Sequence, residues 1–179
     1  MRRTCARIVA HIVTVILAGG RVEATKTNSA VASAPRVRSS DAHIRAMIDE
    51  ATQYSATFRR LIGSIEATNG ILYVEPGTGS HPLRSYLSLT VTRAGAYRML
   101  RIQVDTCQSD LEVMTSVGHE LQHAIEVLSH PTLTSMEAVY LFYAREAPTN
   151  GNTFETMGAI RVGNAVRDEL TSHPRVPGL

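Results

Sequence analysis

A single bounded helix with a metal-ligand pattern on one face constrains this chain more than any other feature. The stretch Gly118-His119-Glu120-Leu121-Gln122-His123 contains the pattern HExxH. With 7 His in 179 residues, chance produces it about 0.02 times per chain. Just upstream, Ser109-Asp110-Leu111-Glu112 is a capping-box signature, with Ser109 as N-cap and Glu112 three residues on. From there to Ser129 apolar residues recur at helical spacing (Leu111, Val117, Leu121, Ala124, Ile125, Leu128), and Pro131 closes the run. One helix is predicted to carry the whole motif.

Spacing then dictates chemistry. Four residues apart on a helix, His119 and His123 project from one face a turn apart and can share an ion. Two neutral imidazole nitrogens suit zinc. Glu120 lies about 100° round from His119, where it reaches a water on the ion rather than the ion itself. The expected cofactor is Zn2+, with His119 and His123 as ligands and Glu120 as general base.

A hydrolytic zinc site usually has a third protein ligand. Glu126 and His130 share the stripe of the two motif histidines, but Glu126 is about 10 Å along the axis from His119. Its expected role is to orient His123 from behind. A third histidine beyond the motif needs a glycine turn where Glu126 stands, which excludes the metzincin arrangement. Acids later in the chain remain. Glu155 interrupts an apolar stripe of Ala159, Val162, Val166 and Leu170, where an unpaired carboxylate is costly and where a first helical turn favours an anion. Glu137, between Leu133 and Leu141, is the alternative, and Glu146 at a charged helix end is a weaker one. Glu155 is preferred as third ligand because the loop Ala147–Asn152 can fold it back over the motif. For a donor to an oxyanion, Tyr140, Tyr143 and Arg161 are candidates with nothing to separate them.

The N-terminus reads as an export signal over residues 1–24. Arg2, Arg3 and Arg7 form a positive region, Ile8 to Leu17 an apolar one too short to span a bilayer, and Val22-Glu23-Ala24 a cleavage site. The chain's formal net charge of +2 includes four arginines and one glutamate in that segment, so the remainder is about −1. A nucleic-acid partner, which needs a basic stripe in the folded part, is not expected. Nor is a stable membrane anchor once the signal is removed. Of the 2 Cys, Cys5 leaves with the signal, so Cys107 has no internal disulfide partner. Secretion or periplasmic residence follows as the expectation.

Residues 25–40 read as a flexible leader, 41–171 as one domain, and 172–179 as a disordered tail. Asp41 caps an amphipathic pattern that continues past Ser55 to Asn69-Gly70, giving two helices or one bent one. Ile71–Val74 is a short strand, and Ser85–Asp105 a hairpin turning at Arg93–Ala96. The loop Glu75–Gly79 lacks the lysine and following helix of a phosphate loop, and the lone His81 beyond it is not a convincing ligand. After the motif helix come a helix from about Leu133 to Arg145 and another from Phe154 to Leu170 with Thr153 as N-cap. The expected class is α+β: N-terminal helices, a small antiparallel sheet, the motif helix, then two C-terminal helices. One strand is expected to offer an open edge to an extended peptide.

With HELQH on a capped helix, strands before it and glutamate-bearing helices after it, the chain resembles zincin metallopeptidases, in the minimal gluzincin layout. The segment His119–Val127 with the later Phe154-Glu155-Thr156 also resembles a group of uncharacterised small exported bacterial proteins. The resemblance implies zinc held by His119, His123 and a later helical glutamate, Glu120 as general base, and a peptide or protein substrate. The gluzincins' usual interval from His123 reaches Phe142, which has no donor atom. A zinc-binding or interaction domain that kept the scaffold without turnover is the alternative.

Overall fold

The computed structural model describes residues 34–77, 85–146, 149–150 and 153–173; the signal expected over 1–24, Cys5, His81 and most of the expected leader and tail lie outside them. In chain order the elements are β1 (Val37–Arg38), α1 (Ala42–Tyr54), α2 (Ala56–Glu66), β2 (Gly70–Pro76), β3 (Ser85–Leu87), β4 (Thr92–Ala94) and β5 (Tyr97–Val104). They are followed by α3 (Asp110–Leu128), α4 (Met136–Glu146), β6 (Thr149–Asn150), β7 (Thr153–Phe154) and α5 (Met157–Thr171). The class is α+β, with five helices and a small mixed sheet among the described residues. No helix among them is long and apolar enough to cross a membrane.

Helix boundaries sit where short polar side chains can take the orphan N–H groups. Asp41, Ser55, Ser109 and Thr156 each accept a bond from the N–H three residues on, to Ile44, Phe58, Glu112 and Ala159. Ser55 settles the choice between two helices and one: it is extended, ends α1 and starts α2. The leader expected over 25–40 also ends earlier, since Val37–Arg38 pairs with β2 and Val37 is buried.

The sheet departs from the antiparallel expectation. Its order is β1-β2-β5-β3, with β4 also on β5. Both β1–β2 and β2–β5 are parallel, while β3 and β4 pair antiparallel with β5. The hairpin read from Ser85 to Asp105 is present as an interrupted arm (β3, then β4) folded on β5, turning at Gly95, whose φ of 60° suits glycine. The strand read at Ile71–Val74 fills the other edge of β5, in register Leu72 with Leu100 and Val74 with Ile102. Alternation fixes which side chains face inward, not the direction of a neighbour.

Leu72, Val74, Leu100, Ile102 and Val104 form the buried face of the sheet. Glu75 on the other face accepts from Arg101 and Gln103. Helix α3 packs against β2, β3 and β5 and makes its largest contact with α5. Close approach of those two helices depends on Gly118, where a Cβ would stand 3.0 Å from Val166 Cγ2; at Gly163 a Cβ would meet His119 Cβ at 3.4 Å, an ordinary contact with no room for a larger side chain.

Buried Arg98 fixes the far end of α3. It lies in the inward register of β5 and is 4% exposed. Its guanidinium donates to the carbonyls of Leu128 (2.6 Å), His130 (2.9 Å), Val127 (3.3 Å) and Leu133 (3.4 Å), and Nε to Asn69 Oδ1 (3.0 Å). A cation among the last carbonyls of a helix meets the negative end of its dipole.

Candidate metal centre

Helix α3 carries His119, Glu120 and His123 on the side facing α5 and β3, with Glu120 and His123 each 5% exposed. The ligand atoms of His119, His123 and Glu155 all lie within 4.8 Å of one another. His119 Nε2 is 3.2 Å from Glu155 Oε2, and the two imidazole centroids are 4.9 Å apart. Donors around one tetrahedral zinc stand about 3.4 Å apart, as bond lengths near 2.1 Å require. The group does not include Glu137, which is exposed in the first turn of α4.

Glu155 arrives differently from the sequence expectation. The helix expected to start at Phe154 starts at Met157, and its N-cap is Thr156, not Thr153. Thr153 and Phe154 are instead strand β7, paired with β6. Glu155 therefore sits in the extended link between β7 and the cap rather than in a helical turn. Phe154 anchors that link, with its ring stacked on Tyr143 at 5.7 Å and edge-on to Tyr140 at 5.4 Å.

Behind the histidines lies a carboxylate with several partners. Glu126 Oε2 is 3.0 Å from His123 Nδ1, which leaves Nε2 of that ring for the cluster. Its Oε1 accepts from Thr156 Oγ1 at 2.7 Å, so one side chain ties His123 to the residue after Glu155. Tyr143 closes the back, donating to the His123 carbonyl at 3.0 Å. Its hydroxyl is thus committed to scaffolding. Tyr140 and Arg161 are exposed and do not line the cleft, so none of the three expected oxyanion donors faces it. His130 is exposed against Phe142, away from the cluster.

The electrostatics follow this geometry. Burial pulls the His119 pKa down, but the Glu155 hydrogen bond and the charges of Glu120, Glu155 and Glu126 outweigh it and raise it above the ordinary value. Glu155 is held below the usual carboxylate range by its hydrogen bond to His119, against burial, with help from both imidazoles. Burial pushes Glu126 up, yet its bonds from His123, Thr156 and Gln122 bring it below that range. Burial first, then Glu126 and Glu120, push the Tyr143 phenol far up.

Sequence reasoning missed Ser85. Its Oγ donates to Glu120 Oε1 at 2.7 Å across 35 residues, and an isolated serine at a strand start carries no local signal of that. Thr156 was readable as a second capping type beside Thr153, but its bond to Glu126 was not. The cleft, about 280 Å³, is lined by α3, α5, Ser85 and Glu155. Compared with protein-family models, curated proteins and solved structures, the chain matches none.

Proposed function

We propose that this chain is an exported zinc-dependent peptidase domain on a zincin-like scaffold, hydrolysing peptide bonds with Glu120 as general base. One observation carries the reading: two imidazoles a helical turn apart and a carboxylate from a distant segment converge, with a buried glutamate beside them. Two neutral nitrogens and one carboxylate are the donor set of a hydrolytic zinc site, and three protein donors keep a fourth position open. Zinc held there would acidify a bound water and polarise the scissile carbonyl. Glu120 takes the proton of the attacking water and delivers it to the departing amine. Ser85 holds Oε1 of that carboxylate, which fixes the orientation of Glu120 at the cleft wall. Glu126 keeps the proton of His123 on Nδ1, so that Nε2 presents its lone pair.

The test is Glu120→Gln in the zinc-loaded protein. Zinc content should be retained and cleavage of an unfolded protein lost, by about 100-fold or more; unchanged turnover ends the role given to Glu120. A second reading, a zinc-binding domain without turnover, is favoured by the cleft's size, since about 280 Å³ is small for a ligand pocket. Bound zinc with no cleavage of any peptide library would select it.

A further inference from the structure

The cleft continues beyond the cluster. Helix α5 runs antiparallel to α3, with Gly163 against His119, Val166 against Gly118 and Arg167 paired with Glu112. Between them a groove passes Thr115, Ser116 and Asn164 and ends at Glu112 and Arg167. Seven residues separate His119 from Glu112, about 10 Å at helical rise, which an extended peptide covers in about three residues.

We propose that this groove holds the peptide on one side of the scissile bond, and that Arg167 reads a substrate carboxylate about three residues from it. The inference rests on the peptidase reading and deepens it. Arg167 Nη2 donates to Glu112 Oε2 at 3.0 Å, and no other hydrogen bond from its guanidinium is made among the described residues. The arginine side chain is 43% exposed against 24% for Glu112. The group open to a ligand is therefore the cation, with donors to spare and a planar fork that matches a carboxylate. Glu112 holds that fork in place and competes with the ligand for it. The middle of the groove is polar, as a main chain requires, and the hydroxyl of buried Thr115 has no partner among the described residues.

A C-terminal carboxylate and an Asp or Glu side chain share this chemistry, and binding distinguishes them. The probe is zinc-loaded Glu120→Gln protein titrated with three alanine-based peptides: a neutral C-terminal amide, the same peptide as free acid, and the amide with one internal glutamate. At least one acidic peptide should bind roughly tenfold tighter than the neutral one, and which one names the source. The preference should vanish in Arg167→Gln, survive in Arg161→Gln, and grow in Glu112→Gln, where the competing charge is gone. Equal binding of all three, no binding of any, or a preference that survives Arg167→Gln overturns the proposal. Should Arg167→Gln fail to fold by thermal melt, Glu112→Gln decides: acid-peptide binding unchanged or weaker overturns it. Turnover by the wild-type protein is read separately. No cleavage with the preference intact removes the hydrolysis and leaves the groove, and cleavage without the preference does the reverse.

Discussion

Replacing Arg98 with methionine should destabilise the protein more than any other single charge removal in the sheet. The guanidinium is buried and serves four main-chain carbonyls around the end of α3. Burial lowers its pKa from the ordinary arginine value, so its charge depends on those oxygens for compensation. The bonds of 2.6 and 2.9 Å are charge-assisted, worth about 1.5–3 kcal/mol each. Methionine fills much of the volume but leaves the buried Leu128 carbonyl facing an apolar side chain, while the carbonyls of Val127 and His130 keep the N–H groups of His130 and Leu133. The cost is about 3–5 kcal/mol, a large share of a total stability of about 5–15 kcal/mol. At this chain length that lowers Tm by about 10–20 °C. Urea melts followed by far-UV circular dichroism measure it, with m unchanged if only stability moves. Arg98→Lys should recover less than half, because one ammonium cannot span oxygens held by both guanidinium arms. Arg101→Met, on the solvent face of the same strand, should cost under about 0.5 kcal/mol. A loss below about 1 kcal/mol for Arg98→Met, or an equal loss for Arg101→Met, refutes the reasoning.

Other perturbations separate the parts of the site from its frame. Glu155→Ala should weaken zinc binding by more than about 100-fold and Glu126→Gln by about 10–100-fold, while Glu137→Ala leaves it unchanged; chelator competition reads all three. Glu169 on α5 accepts from Ser55 Oγ, Thr57 N and Thr57 Oγ1 at the start of α2. Burial raises its pKa, but those bonds and Arg60 win and lower it. Its folded pKa lying below the unfolded one, it stabilises the fold above the ordinary glutamate range and ceases to as pH falls through the folded value. Glu169→Gln should thus cost about 1–2 kcal/mol at neutral pH and converge with wild type in acid, as urea melts across pH will show. Gly163→Ala should be near neutral, its Cβ 3.4 Å from His119 Cβ. Gly163→Val should lose about 1–3 kcal/mol and weaken zinc binding, by calorimetry on both variants.

The parts legible beforehand are those that local chemistry writes along one segment. Ser109, the apolar period and Pro131 bounded α3 closely, and the alternation along Tyr97–Val104 groups Arg98 with Leu100 and Ile102 on one face of β5. What Arg98 does there depends on where the end of α3 arrives, which no local pattern encodes. The same limit hid the parallel pairing of β2 and the bond from Ser85 to Glu120. At Thr153-Phe154-Glu155-Thr156, two threonines both suit an N-cap, and pairing of β7 with β6 decided for the later one.

Helix α4 buries only Val139 and Tyr143 and turns Met136, Tyr140 and Leu141 outward. So narrow a seam should let the amides of α4 exchange before those of α3. An opening of α4 would withdraw the Tyr143 phenol from the His123 carbonyl and let solvent reach the histidine from the rear. The rigidity of the centre is therefore set by the least secured helix around it.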